Sequence, residues 1–115
     1  MSTCLPVNSV CVDRRIVGNL EPVGLQLLDM NGAVSDIVGA NFEAHLIDTI
    51  SGAVVVADGS VVKDDAGQAW VSWLPQAGDT DTVGTYALYI VETNGSPNRR
   101  WPKESGAYLM KYEAE

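Results

Sequence analysis

A chain of 115 residues with 46% hydrophobic side chains has room for one domain with its own core and no second. Charged residues make up 19%, too few for a disordered acidic tail, and no run of eighteen apolar residues offers a membrane span. Fifteen acidic against seven basic side chains give a formal charge of −8; this argues against a general nucleic-acid binder, which needs a basic footprint to displace counterions from phosphate.

The chain opens with MSTCLPVNSVCVDRR, which lacks the basic start and long apolar centre of a secretory signal. It is therefore expected to fold in the cytoplasm of the cell that makes it. Residues 1–12 show no strand pattern with a clear partner. They are expected to form an N-terminal arm, free or paired with a neighbouring subunit, ahead of a single domain over 13–115. Cys4 and Cys11 stand close enough to close a small loop, but a reducing compartment opposes a disulfide. Neither a His nor a third Cys lies nearby to complete a zinc site.

From there the chain alternates apolar and polar residues in short runs. The alternation predicts strands over 15–19, 22–29, 41–48, 53–57, 60–64, 68–74, 85–92 and 107–113, because successive strand side chains point to opposite faces. Asn31-Gly32 and Asn94-Gly95 favour tight hairpins. Ser51-Gly52, Asp58-Gly59 and Ala66-Gly67 punctuate the middle. The best helical candidate, DIVGANFEAHLID, is broken by Gly39 and alternates from Phe42 onward, so it reads as turn then strand. Seven or eight short strands at roughly ten-residue spacing predict an all-β fold, an immunoglobulin-like antiparallel β-sandwich.

The segment GDTDTVGTYALYIVE, from Gly78 on, raises the question of chemistry. Asp79 and Asp81, with Asp64 and Asp65 from another turn, offer carboxylates. A calcium loop wants six to eight oxygens, and here the third acidic ligand and the closing glutamate are missing. The favoured reading is architectural. Asp and Thr bond to nearby backbone N–H groups, and Asp81-x-x-Gly84-x-Tyr86 resembles a tyrosine corner. The single histidine, His45, sits mid-strand without a nucleophile beside it, and no G-x-S-x-G elbow or phosphate-binding loop is present. The expectation is a non-enzymatic protein without cofactor or metal.

The aromatic and basic residues remain as candidates for contact. Trp73 shares a face with Ala69 and Val71 and reads as core, which turns Trp70 outward. Tyr89 and Trp101 are read as further outward aromatics. Arg14, Arg15, Arg99 and Arg100 concentrate the positive charge. Outward aromatics are covered by a loop, anchor a protein contact, or stack on sugar rings. Arginine clusters are solvated loop charge or a patch for an acidic partner. The candidate partner-binding residues are thus Trp70, Tyr89, Trp101, Arg14, Arg15, Arg99 and Arg100.

Four segments in order, PVGLQLLDMNGAVSDIVGANFEAHLID, GQAWVSWLPQAGDTDTVGTYALYIVE, NGSPNRRWP and GAYLMKYE, carry a resemblance. Within them Leu28, Asp29 and Gly32 form a turn that leads to Asp36-Ile37-Val38-Gly39-Ala40. A W-x-P-x-D-T-D-x-x-G-x-Y segment corresponds to Trp73 through Tyr86, with two extra residues before the first Asp. Trp101-Pro102 precedes a closing strand at Gly106-Ala107-Tyr108. Over about residues 20 to 113 the chain resembles small immunoglobulin-like proteins of tailed bacteriophages, related to the N-terminal domain of the phage baseplate upper protein. The resemblance implies a virion structural protein without catalytic residues, in tail, baseplate or head, docked to other virion proteins and to copies of itself. A capsid-decoration or head-fibre protein is the alternative within that class. A carbohydrate-binding adhesion module, with a host-surface glycan as partner, is the alternative outside it.

Overall fold

The computed structural model describes residues 12–95, 97–102 and 108–114. Among these residues nine strands follow one another: β1 (Val12–Ile16), β2 (Val23–Gln26), β3 (Phe42–Asp48), β4 (Val54–Asp58), β5 (Val61–Asp65), β6 (Trp70–Trp73), β7 (Gly84–Glu92), β8 (Arg100–Trp101) and β9 (Tyr108–Glu113). The only helical piece among the described residues is a 3-10 turn at Ala66–Gln68, capped by the Asp65 carboxylate on the Gln68 N–H. The all-β expectation is met.

The strands form two sheets. The larger has the order β1-β9-β7-β3-β4, with β8 also paired to β7; the smaller has the order β2-β6-β5. All pairs are antiparallel except β1 with β9. This order is consistent with an immunoglobulin-type sandwich, in which consecutive strands cross between two packed layers.

Alternation explains the core. On β3 the residues Phe42, Ala44 and Leu46 are buried, and on β7 so are Tyr86, Leu88 and Ile90. From the smaller sheet Val23, Val71 and Trp73 meet them, and Met110 and Tyr112 close the core from β9. Each such aliphatic side chain contributes about 1.5–3 kcal/mol of hydrophobic stabilisation. The loop after β2 adds Leu27 and Ile37, carried by a turn at Asn31-Gly32. There the Asp29 carboxylate accepts from the N–H groups of Asn31 and Ala33, and Gly32 takes φ +81, a region that costs any residue with a Cβ.

Three polar links tie the layers together. Trp73 Nε1 on β6 donates to Asp58 Oδ2 on β4 at 3.1 Å. Arg15 on β1 donates to the carbonyl of Glu21 at 2.5 Å and to that of Pro22 at 3.4 Å, at the entry to β2. Trp101 Nε1 on β8 donates to Ser35 Oγ at 3.1 Å, in the loop that follows β2. A buried indole or guanidinium left without such partners would carry its full desolvation cost.

The segment Gly78 to Tyr86 is architectural. The Asp79 carboxylate accepts from the Gln76 N–H at 2.9 Å, and the Asp79 N–H donates to the Gln76 carbonyl at 3.0 Å, closing a tight turn. The Thr80 carbonyl accepts from Gly18 N–H at 2.9 Å, which binds this loop to the end of β1. Tyr86 Oη donates to the Thr82 carbonyl at 3.1 Å, the tie-back of a tyrosine corner.

Three elements differ from the sequence expectation, one of them β2, which is expected over 22–29 and runs only over Val23–Gln26. The first strand runs over Val12–Ile16 rather than 15–19, because Val17 and Gly18 already turn: the Asn19 N–H bonds back to the Ile16 carbonyl and Gly18 takes φ +84. Val12 thus belongs to the sheet and not to an arm. The two-residue strand β8 was not expected at all; two residues are too few to show a period. Cys4, Cys11 and the remainder of the expected arm lie outside the described residues, as does Lys103.

Candidate docking surface

The candidate contact residues divide between several environments. Trp70 is 43% exposed on the outer face of the smaller sheet, across from Gln26 on β2. Tyr89 is half-buried on the outer face of the larger sheet, with the Arg100 guanidinium 4.4 Å from its ring centre. The two aromatics therefore sit on opposite sides of the sandwich and form no common platform. Arg14 is exposed and 3.7 Å from the Glu113 carboxylate.

The expectation of an outward Trp101 is corrected. Trp101 is 2% exposed, because it pairs with Ile90 and so shares the inner face of β7. Its ring meets Phe42 edge-on at 5.8 Å between centroids. Arg15, expected as a surface charge, is corrected in the same way. It is buried on the inner face of β1, where it pairs with Asp13 at 3.2 Å and donates to the two carbonyls of the β2 entry. Tyr108 Oη donates to the same Asp13 carboxylate at 2.8 Å, and burial followed by Asp13 raises the phenol's pKa. Arg99 is half-buried in a two-pronged ion pair with Glu92, both contacts at 3.0 Å, and lies 4.9 Å over the Trp101 ring. That bond to Glu92 raises the pKa of Arg99. Gly95 makes room for the pair: a Cβ there would collide with the Glu92 carboxylate. Three of the seven candidates thus hold the fold together, and Trp70, Tyr89, Arg14 and Arg100 remain at the surface.

The carboxylates divide likewise. Asp58 and Asp79 lie side by side beneath the Trp73 indole N–H. Burial, reinforced by Asp58, pushes the Asp79 carboxyl up. Burial also acts upward on Asp58, but hydrogen bonds from Asp79, Ser60 and Trp73 outweigh it and hold that carboxyl below its usual value. Among the described residues no three His, Cys, Asp or Glu side chains come together as a metal-binding group. His45 is half-buried, with Nε2 3.1 Å from the Glu43 carboxylate.

The feature that sequence reading missed is a row. Val12 pairs with Leu109, Leu109 with Ala87, Ala87 with Ile47, and Ile47 with Val54. These five apolar residues, one from each strand, cross the whole outer face of the larger sheet at a single level. At strand spacing the row is about 19 Å long. The register slips between Leu46 and Ile47, so that Val55 is an extra residue on β4. Val54 is 52% and Val55 51% exposed, which gives this end of the row two valines. The rows to either side are more polar: Tyr89 and His45, ending at Ala57, on one side, and Thr85, Lys111 and Arg14 on the other. An apolar band crossing a sheet between polar margins has the anatomy of a protein contact, with an apolar centre and a hydrated rim.

Comparison of the chain with protein-family models, with curated proteins and with solved structures finds no match.

Proposed function

We propose that this chain is a non-enzymatic structural protein of a tailed-phage virion, in tail, baseplate or head, that works by docking through the outer face of its larger sheet. The observation that carries the docking part is the five-strand apolar row Val12, Leu109, Ala87, Ile47 and Val54 between polar margins. Ala87 in the middle of the row is already buried at 8% exposure, so a partner would cover the half-buried Val12, Leu109 and Ile47 and the exposed Val54, removing apolar surface from water without leaving an unpaired polar group at the centre. The Arg100 guanidinium stacked on Tyr89 extends the band with a flat cationic and aromatic element of the kind enriched at contact centres. The virion part rests on the resemblance to small phage immunoglobulin-like proteins. Mass spectrometry of purified particles from cells that produce the chain tests it. The expected result is the protein in stoichiometric amount, with cross-links from Lys111, on the margin of the row, to another virion protein. Particles that lack the protein, or cross-links that avoid this face, refute it.

A second reading is favoured by Trp70. Its indole is 43% exposed on the other sheet, near the polar side chains of Gln26 and Ser72. An exposed indole with polar neighbours suits a sugar ring. Quenching of Trp70 fluorescence by host-surface glycans, abolished in Trp70→Ala, is the result this adhesion reading requires.

A further inference from the structure

The outer face of the larger sheet carries two opposite charges placed symmetrically about its apolar row. Arg100 pairs with Val91, which lies four residues beyond Ala87 along β7. Glu113 lies four residues beyond Leu109 along β9, and β9 runs antiparallel to β7. The two side chains therefore stand on opposite sides of the row, each about 13 Å from it at strand rise. Both also lie in the same lane of the sheet, next to β7, since β8 and β9 pair with successive parts of its one edge. Arg100 is exposed, and so is part of the Glu113 side chain, whose carboxylate lies 3.7 Å from Arg14.

We infer that the partner of this face is a second copy of the chain, stacked sheet on sheet about a two-fold axis that lies along the apolar row. A rotation about that axis keeps each residue of the row over the row of the other copy and reverses the two sides. It brings Arg100 of one copy over Glu113 of the other, and the reverse, so that two identical ion pairs flank an apolar centre. Stacked sheets lie about 10 Å apart, a gap that an arginine and a glutamate span together. The contact is isologous, the commonest form of symmetric assembly.

The bulge in β4 supports stacking over edge pairing. An extra residue disrupts the ladder and blunts the edge as a template for a further strand, and here it also adds Val55 to the apolar end of the face. Charge helps to choose the partner. The chain as a whole is strongly acidic, yet this face bears Arg14, Lys111 and Arg100 against Glu43 and Glu113. This face therefore does not share the net negative charge of the chain, and two copies can meet on it without carboxylate crowding. The footprint, roughly 19 by 27 Å, comes to about 500 Å² per copy, the low end for a specific interface. The dimer is accordingly weak in free solution and gains from the high local concentration of an assembly.

The inference rests on the reading of this face as a contact surface, and its test can fail alone. Sedimentation equilibrium of the intact chain up to about 1 mM is expected to show a mass rising from 12.3 kDa toward twice that value. Arg100→Glu and Glu113→Arg alone should each weaken association at least about tenfold, since each sets like charges face to face. The double exchange Arg100→Glu with Glu113→Arg should restore it, which only this pairing predicts. A monomer at every concentration, a dimer indifferent to the single reversals, or a double exchange that fails to restore association would overturn it. If the chain stays monomeric while Ile47→Lys still abolishes incorporation into particles, the second copy is wrong and the docking face stands.

Discussion

The Trp101 indole donates its N–H to Ser35 Oγ at 3.1 Å, across 66 positions of sequence and from one layer of the sandwich to the loop of the other. Both residues are buried, at 2% and 8% exposure, so water is a poor substitute for either partner. Ser35→Ala is expected to leave the indole N–H unpaired and to cost about 1–2 kcal/mol by urea unfolding. Trp101→Ala, which also empties the space beside Phe42, should cost about 3–5 kcal/mol. Equal stability of Ser35→Ala and the unaltered chain would show that the link contributes nothing.

Arg14 and Arg15 adjoin in sequence and differ in environment. Arg14 is 69% exposed and faces Glu113 in solvent, whereas the Arg15 side chain is 6% exposed with Asp13 and two carbonyls around it. Removing Arg15 leaves the Asp13 carboxylate, itself 12% exposed, beside Tyr108 without its cation. Arg15→Ala should therefore destabilise by about 3–5 kcal/mol. Arg14→Ala should change stability by under about 0.5 kcal/mol. Thermal unfolding of the two variants side by side reads the contrast.

Two tyrosines that pack together should respond oppositely to loss of their hydroxyls. Tyr86 and Tyr112 lie 6.1 Å apart between ring centroids. Tyr86 Oη bonds the Thr82 carbonyl, so Tyr86→Phe should cost about 1 kcal/mol. Tyr112 Oη is buried without a hydrogen-bond partner among the described residues, and burial pushes its pKa up to about 12. Tyr112→Phe removes a polar atom that had already lost its water and should be neutral or stabilising by urea unfolding.

The Asp58 and Asp79 carboxyls give stability an acid-side signature. Asp79 holds its proton more tightly in the folded state than in the unfolded one. Its contribution to stability therefore rises as pH falls through that raised pKa, and at neutral pH the ionised pair is a mild liability. Asp58 has the opposite shift, so its contribution is lost as pH falls further, through its depressed folded pKa. Asp79→Asn keeps an acceptor for the Gln76 N–H and a donor for Asp58 without the second charge. It should raise stability at pH 7 by under about 1 kcal/mol and abolish the gain on mild acidification. A melting-temperature profile from pH 7 down to about pH 2 checks both signs, the Asp79 gain on mild acidification and the Asp58 loss below it.

The strand pattern was legible because alternation reports each strand on its own: β3, β4, β5, β6, β7 and β9 lie within a few residues of the periods read from them. Burial on β8 was not. Trp101 stands on a strand of two residues, and only its pairing with Ile90 tells which face it shares. Arg15 reads as a surface residue because charge suggests solvent, while the carbonyls of Glu21 and Pro22 that receive it come from a turn that places them there only after folding. The apolar row was hidden for a related reason. It takes one residue from each of five strands, and its continuity depends on the order β1-β9-β7-β3-β4 and on four registers, which no local period encodes.

On the proposed function, the row, and not the exposed tryptophan opposite, is what this chain uses to hold its place in a particle. The most direct measurement is incorporation of Ile47→Lys and Trp70→Ala chains into assembling particles, with circular dichroism confirming that both are folded. Ile47 is half-buried in the row, between Ala87 and Val54, and Trp70 is exposed on the other sheet. The account predicts that Ile47→Lys is excluded and Trp70→Ala is retained at the level of the unaltered chain. Retention of Ile47→Lys together with loss of Trp70→Ala would contradict it.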